Sequence, residues 1–187
     1  MKKTRPTVFK FIVMHLILAC VIISAPTYAA SGKEIDLKVD KTLTDFRKHV
    51  AGGDIFLKNA KGVLVFPEIV KAGAAIGGEY GEGALRINNK TVDYYSSAAA
   101  SFGLQFGVQT KSVVIVFLDS KALANFRASN GWKAGVDGSV ALVELGTGKS
   151  IDTATADKPI VGFIFNNKGL MYNLTLEGSK FTKLDKK

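Results

Sequence analysis

From Glu34 to Val50 the apolar residues Ile35, Val39, Leu43, Phe46 and Val50 recur at spacings of three and four. That period predicts a helix with a single apolar stripe. Lys38, Lys41, Arg47 and Lys48 are spread over its remaining surface, interleaved with Glu34, Asp36, Asp40 and Asp45. Ala51-Gly52-Gly53 ends the helix, and Asp54 is placed to cap a short second one over Ile55 to Ala60.

Beyond Gly62 the pattern becomes that of strands. Gly62 to Phe66 is almost wholly apolar and is expected to stop at Pro67. Strands are expected over Ala74 to Glu79 and Gly83 to Ile87, around a glycine-rich bend. Asn88-Asn89 then turns the chain into Thr91 to Tyr95. Ala100 to Gln109 and Ser112 to Leu118 follow. Ser120 to Arg127 reads as a short helix capped by Asp119 or Ser120. Val136 to Leu145, Ile151 to Thr153, and a hairpin of Ile160 to Phe165 with Leu170 to Leu176 about Asn166-Asn167-Lys168-Gly169 complete the pattern. The expected fold is mainly β with a few α-helices: an antiparallel barrel- or sandwich-like sheet preceded by an N-terminal amphipathic helix. Glycines inside strands, such as Gly77, Gly78, Gly103, Gly107, Gly135 and Gly138, suit sharp coiling or close backbone contact.

Composition changes this picture at one end. Residues 1–29 carry Lys2, Lys3, Arg5 and Lys10, then an apolar run from Phe11 to Ile23, then Ser24-Ala25-Pro26-Thr27-Tyr28-Ala29. This is the layout of an export signal cleaved after Ala29. Residues 30–187 are left as one domain, a helical lead-in over 34–60 and a β-rich body over 62–184. Ile17-Leu18-Ala19-Cys20 also loosely resembles a lipobox, so lipidation at Cys20 stands as the alternative, and an uncleaved anchor as a third. Without the four basic residues the formal charge falls from +9 to +5, too mild to point to nucleic acid. Cys20 is the single cysteine, so a chain cut after Ala29 has no disulfides or thiol chemistry.

Reactive chemistry is hard to build from what remains. Gly146-Thr147-Gly148-Lys149-Ser150 looks like a phosphate loop, but Val143 stands where the first glycine belongs and no helix pattern follows. Outside the export signal His49 is the only histidine, which leaves neither a catalytic triad nor a zinc set, and no cofactor or metal is expected. Glu79 and Glu82, three apart on a strand, point to opposite faces and make a poor acid–base pair.

Several segments recur together in one family. They are Gly62 to Pro67, Lys71-Ala72-Gly73, Ile76-Gly77-Gly78, Gly81-Glu82-Gly83, Gly131-Trp132, Gly135 to Ser139, and Gly162 to Leu174 followed by Leu176-Glu177-Gly178. In this order, from about Thr42 to Leu184, the chain resembles bacterial SYLF-domain proteins, whose lipid-binding domain is shared with yeast actin-patch proteins. The resemblance implies a non-enzymatic module for phospholipids with anionic or phosphoinositide-like headgroups, and with the export layout of residues 1–29 it is expected to act in the cell envelope or periplasm. It also implicates the amphipathic segment before the first strand. Here that segment is Ile35 to Val50, so Lys38, Lys41, Phe46, Arg47 and Lys48 become candidate lipid contacts, joined by the cations Lys58, Lys61 and Lys71 that follow it. The apolar stripe either inserts at the membrane interface or covers one mouth of the barrel as core. The competing function is a structural or protein-interaction barrel of the envelope with incidental lipid affinity.

Overall fold

The computed structural model describes residues 30–73, 76–102, 107–144, 157–168 and 175–186. The expected export signal with Cys20, the Gly146–Ser150 loop, the strand expected over Ile151 to Thr153 and most of Leu170 to Leu176 lie outside them.

Two helices lead. Helix α1, Gly32–His49, starts at Ser31, whose hydroxyl accepts a hydrogen bond from the Glu34 amide at 3.2 Å. Helix α2, Gly53–Asn59, starts at Gly52 in the left-handed region with no side-chain cap, so Asp54 sits inside the first turn and is not the cap. Asp54 instead pairs with Arg47 at 3.4 Å. Strands β1 (Gly62–Gly73), β2 (Ile76–Ile87), β3 (Lys90–Phe102) and β4 (Gly107–Phe117) follow. Helix α3, Ser120–Ala128, is capped by Asp119, one of the two residues the sequence offers. Strands β5 (Trp132–Lys133), β6 (Ala141–Glu144), β7 (Ile160–Lys168) and β8 (Lys180–Leu184) complete one eight-stranded sheet of order β5-β8-β3-β2-β1-β4-β7-β6. Every pairing is antiparallel except β6 with β7.

Four expected breaks are absent or displaced. Pro67 does not stop β1. The register slips by one residue against both neighbours there, between Val65 and Glu68 on one side and Phe66 and Ile69 on the other. A bulge needs no ladder N–H from the proline, so the strand passes through it. The glycine-rich bend is likewise no bend: β2 is continuous, and Gly83 lies against the bulge, where a Cβ would meet the Val65 carbonyl oxygen at 2.0 Å. Its glycine serves close backbone contact. Thr91 to Tyr95 continues unbroken to Phe102 as β3, and β4 begins only at Gly107. Val136 lies in a turn, 76% exposed, so the strand expected from there begins only at Ala141. The Asn88-Asn89 turn is as expected, with φ of 49° and 62°, a backbone that asparagine tolerates in two-residue hairpins.

The sheet is an open, curled half-barrel. Phe66 of β1 and Phe181 of β8 stack at 5.4 Å although β2 and β3 lie between their strands. Their face is therefore the concave one. It holds Leu64, Ile115, Phe117 and Tyr95 beneath Phe126 of α3 and Trp132. The convex face carries Val63, Val65, Val114, Val116, Val161 and Phe163 beneath α1 and α2. The stripe of α1 is core: Ile35, Val39, Leu43, Phe46 and Val50 are all buried. It covers an outer sheet face, where the sequence had suggested a barrel mouth.

Tyr95 on the concave face is pushed up to about 12 from 10.0, by burial first and by the Asp93 carboxylate second. A phenol held neutral by the fold contributes stability fully below the unfolded value near 10.0, lost as pH rises through about 12. Urea denaturation of wild type and Tyr95→Phe across that interval is expected to show a steeper alkaline loss in wild type. Equal slopes would remove this role.

Candidate functional site

Helical spacing sorts the charges of α1 onto two flanks of its buried stripe. Glu34, Lys38, Lys41 and Asp45 follow one another along the first flank. Lys38 pairs with Glu34 at 2.8 Å and Lys41 with Asp45 at 2.7 Å, both at four-residue spacing. The hydrogen bond from Lys41 is the largest influence holding the Asp45 carboxyl below its ordinary range. On the second flank Asp36 and Asp40 receive Arg86 from β2, at 3.5 and 2.9 Å. Thr91 donates to Asp36 at 2.6 Å and Tyr94 at 3.0 Å. Burial first, then this bond to Asp36, raises the Tyr94 phenol. The second flank is thus a clamp that fixes α1 on the sheet.

A cleft opens beside each flank. The first, about 560 Å³, lies between Lys38, Lys41 and Thr42 of α1 and the bulge of β1, with Thr110 and Ser112 of β4 and Asn166, Asn167 and Lys168 of β7. Its charged rim is Lys38, Lys41 and Lys168 against Asp45 and Glu68. Both α1 lysines are engaged only in solvent-exposed pairs, which contribute little and exchange readily. The Thr42 and Ser112 hydroxyls already donate to the Lys38 and Pro67 carbonyls, both at 2.8 Å, so the Thr110 hydroxyl and the Asn166 and Asn167 amides are the groups that can donate to an oxyanion. The second cleft, about 290 Å³, is lined by Arg47, Lys58, Arg86 and the Asn88-Asn89 turn. Within it the Arg86 Nε is buried with no hydrogen-bond partner among the described residues.

The eight candidate lipid contacts are therefore dispersed. Lys38 and Lys41 share one cleft, and Arg47 and Lys58 the other. Lys48 and Lys61 are exposed and line neither. Phe46 is fully buried under α1, edge-on to Phe163 at 5.0 Å. Lys71 faces the concave side, 3.7 Å from Glu79, beside Lys111, which reaches the same carboxylate at 2.7 Å. Lys168 and Arg86 were not among the candidates. They reach the clefts only because β7 lies beside β4 and the β2–β3 turn lies beside α1.

Glu79 and Glu82 do point to opposite faces. Glu79 joins the lysine cluster, whereas Glu82 binds Lys186 at 2.8 Å and accepts from the Tyr80 hydroxyl at 2.9 Å. Among the described residues no cluster of three or more histidine, cysteine or acidic side chains could hold a metal. No described helix is long and apolar enough to cross a membrane.

Residues 98–187 match the family model described as Ysc84, Las17-binding protein actin regulator. The match begins inside β3, so α1, α2, β1 and β2 lie before it. No curated protein matches the chain.

Proposed function

Because residues 98–187 match the SYLF (Ysc84) family model, that of a binding-domain family, we propose that this chain is a non-catalytic module that docks on anionic phospholipid surfaces. The supporting observation is the first cleft. Lys38, Lys41 and Lys168 line it from α1 and β7 beside the Thr110 hydroxyl and the Asn166 and Asn167 amides, a set suited to a phosphate monoanion. The layout of residues 1–29 supports export, with the cell envelope as the site of action and a phosphoinositide-like headgroup as one ligand of this chemistry.

Docking occurs with α1 in place on the sheet, since its stripe is core. Juxtamembrane cations contribute on the order of 1 kcal/mol each on an anionic surface, weakened by salt. Wild type is expected to pellet with equimolar phosphatidylglycerol and phosphatidylcholine vesicles and not with pure phosphatidylcholine. Combining Lys38→Gln, Lys41→Gln and Lys168→Gln should weaken pelleting by roughly a hundredfold, by the same per-cation estimate. Equal behaviour of wild type on both vesicle types would sink the reading.

A second reading follows from the family's own description, which concerns protein binding. A protein-interaction module would capture a stoichiometric partner from envelope extract while ignoring vesicles of either composition.

A further inference from the structure

The four central strands run on past the first flank of α1, and there side chains of the convex face are exposed. Register places one ladder of side chains across it. Val70 of β1 pairs with Tyr80 of β2, Tyr80 with Ala98 of β3, and Val70 on its other side with Thr110 of β4. Residues directly opposed in a sheet share a face. The ladder continues outward to Lys168 of β7 on one side, and to Lys180 of β8 and Lys133 of β5 on the other. One residue pair nearer the strand ends, Ala72 sits between Gly78 and Val108, with Ala100 beyond Gly78. The crest is solvent-exposed: Ile76 by 71%, Val108 by 68% and Tyr80 by 51%. The sequence of both strand ends is uncharged, with no acidic or basic residue in 72–78 or in 94–110.

We infer that this apolar crest enters the interfacial layer of an anionic lipid surface while the lysines on either side meet its phosphates. The inference rests on the proposed lipid-docking function and identifies the element that penetrates. Charge placement selects this occupant. The apolar residues occupy the middle of a convex ladder, and Lys168, Lys180 and Lys133 stand back from the crest at both ends. None of the three forms an ion pair with a described residue. A ridge pressed into a bilayer needs apolar groups at the crest and cations a few ångströms behind it, at headgroup depth. At the inner border Glu82 is already neutralised by Lys186, which leaves Glu68 as the acid nearest the crest. Tyr80, with its ring exposed and its hydroxyl tied to Glu82, has the wet-and-dry character favoured at membrane interfaces. The stripe of α1, by contrast, is already spent on the core.

The test uses the full chain on equimolar phosphatidylglycerol and phosphatidylcholine vesicles. The variant is Ile76→Asp with Val108→Asp, and the control is Leu37→Asp, at a residue 64% exposed on the outer face of α1. Each crest substitution is expected to weaken pelleting by about tenfold, the loss of one buried valine-sized side chain. The control should bind as wild type, and circular dichroism should show all chains folded. An environment-sensitive dye on Val108→Cys in a Cys20→Ser background should shift to the blue on vesicle addition, and one on Leu37→Cys should not. If wild type pellets and the crest variant pellets equally, the crest inference falls alone. If wild type pellets with neither vesicle type, the lipid function falls with it. If sedimentation velocity instead shows a wild-type dimer that the crest substitutions dissolve, the occupant is a second copy and the lipid crest is overturned.

Discussion

Glu79→Gln is expected to destabilise the fold by about 3–5 kcal/mol, the cost of leaving buried charge unpaired. The Glu79 carboxylate is the shared partner of two lysines on the concave face: Lys111 at 2.7 Å, with 1% of its side chain exposed, and Lys71 at 3.7 Å. Among the described residues the Lys111 ammonium has one further acceptor, the Thr175 carbonyl, only at 3.5 Å. Glutamine keeps the shape but removes the charge, so two ammonium groups lose their counterion in a region that water scarcely reaches. Urea denaturation should show the loss directly, with Glu68→Gln, an exposed acid on β1, changing stability by less than about 0.5 kcal/mol. Adding Lys111→Met to Glu79→Gln should recover much of the loss, because an apolar chain needs no partner there. A Glu79→Gln chain as stable as the Glu68→Gln control would show that the cluster is not held by this carboxylate. The same geometry gives Lys71 a structural role on the face opposite α1.

What the sequence made legible follows from how local each signal is. The three-and-four spacing of Ile35 to Val50 and the Asp119 cap are read within one or two helical turns, and both stand in the structure. The long β2 and β3 strands were broken in the sequence reading because glycine and alanine weaken strand patterning. Gly83 is required by a carbonyl on the neighbouring strand, not by any turn of its own. Pro67 misled in the same way, since a bulge shared with two partners is invisible along one strand. The site was legible only on its α1 side. Lys38 and Lys41 could be placed on one flank by counting, whereas Lys168 and Arg86 depend on strand order. The exposed crest shows only in register, because Val70, Tyr80 and Val108 belong to three strands.

Phe46→Ala should cost about 3–5 kcal/mol as well, by loss of transfer energy and the cavity left behind. Its ring meets Phe163 edge-on at 5.0 Å and Phe165 at 5.7 Å, with no exposed surface. The consequence for function is sharper than the number. For α1 to insert in a bilayer, Ile35, Val39, Leu43, Phe46 and Val50 must leave the sheet together. At about 1.5–3 kcal/mol each that is roughly 8–15 kcal/mol. A domain of this size has a total stability of about 5–15 kcal/mol, so lifting the helix amounts to unfolding. Phe46→Leu, which keeps most of the volume, is therefore expected to lower the urea midpoint yet pellet with anionic vesicles as wild type does. A folded Phe46→Leu chain that loses vesicle binding severalfold would reverse the conclusion. Phe46 would then be touching lipid, and the helix would be leaving the sheet to dock.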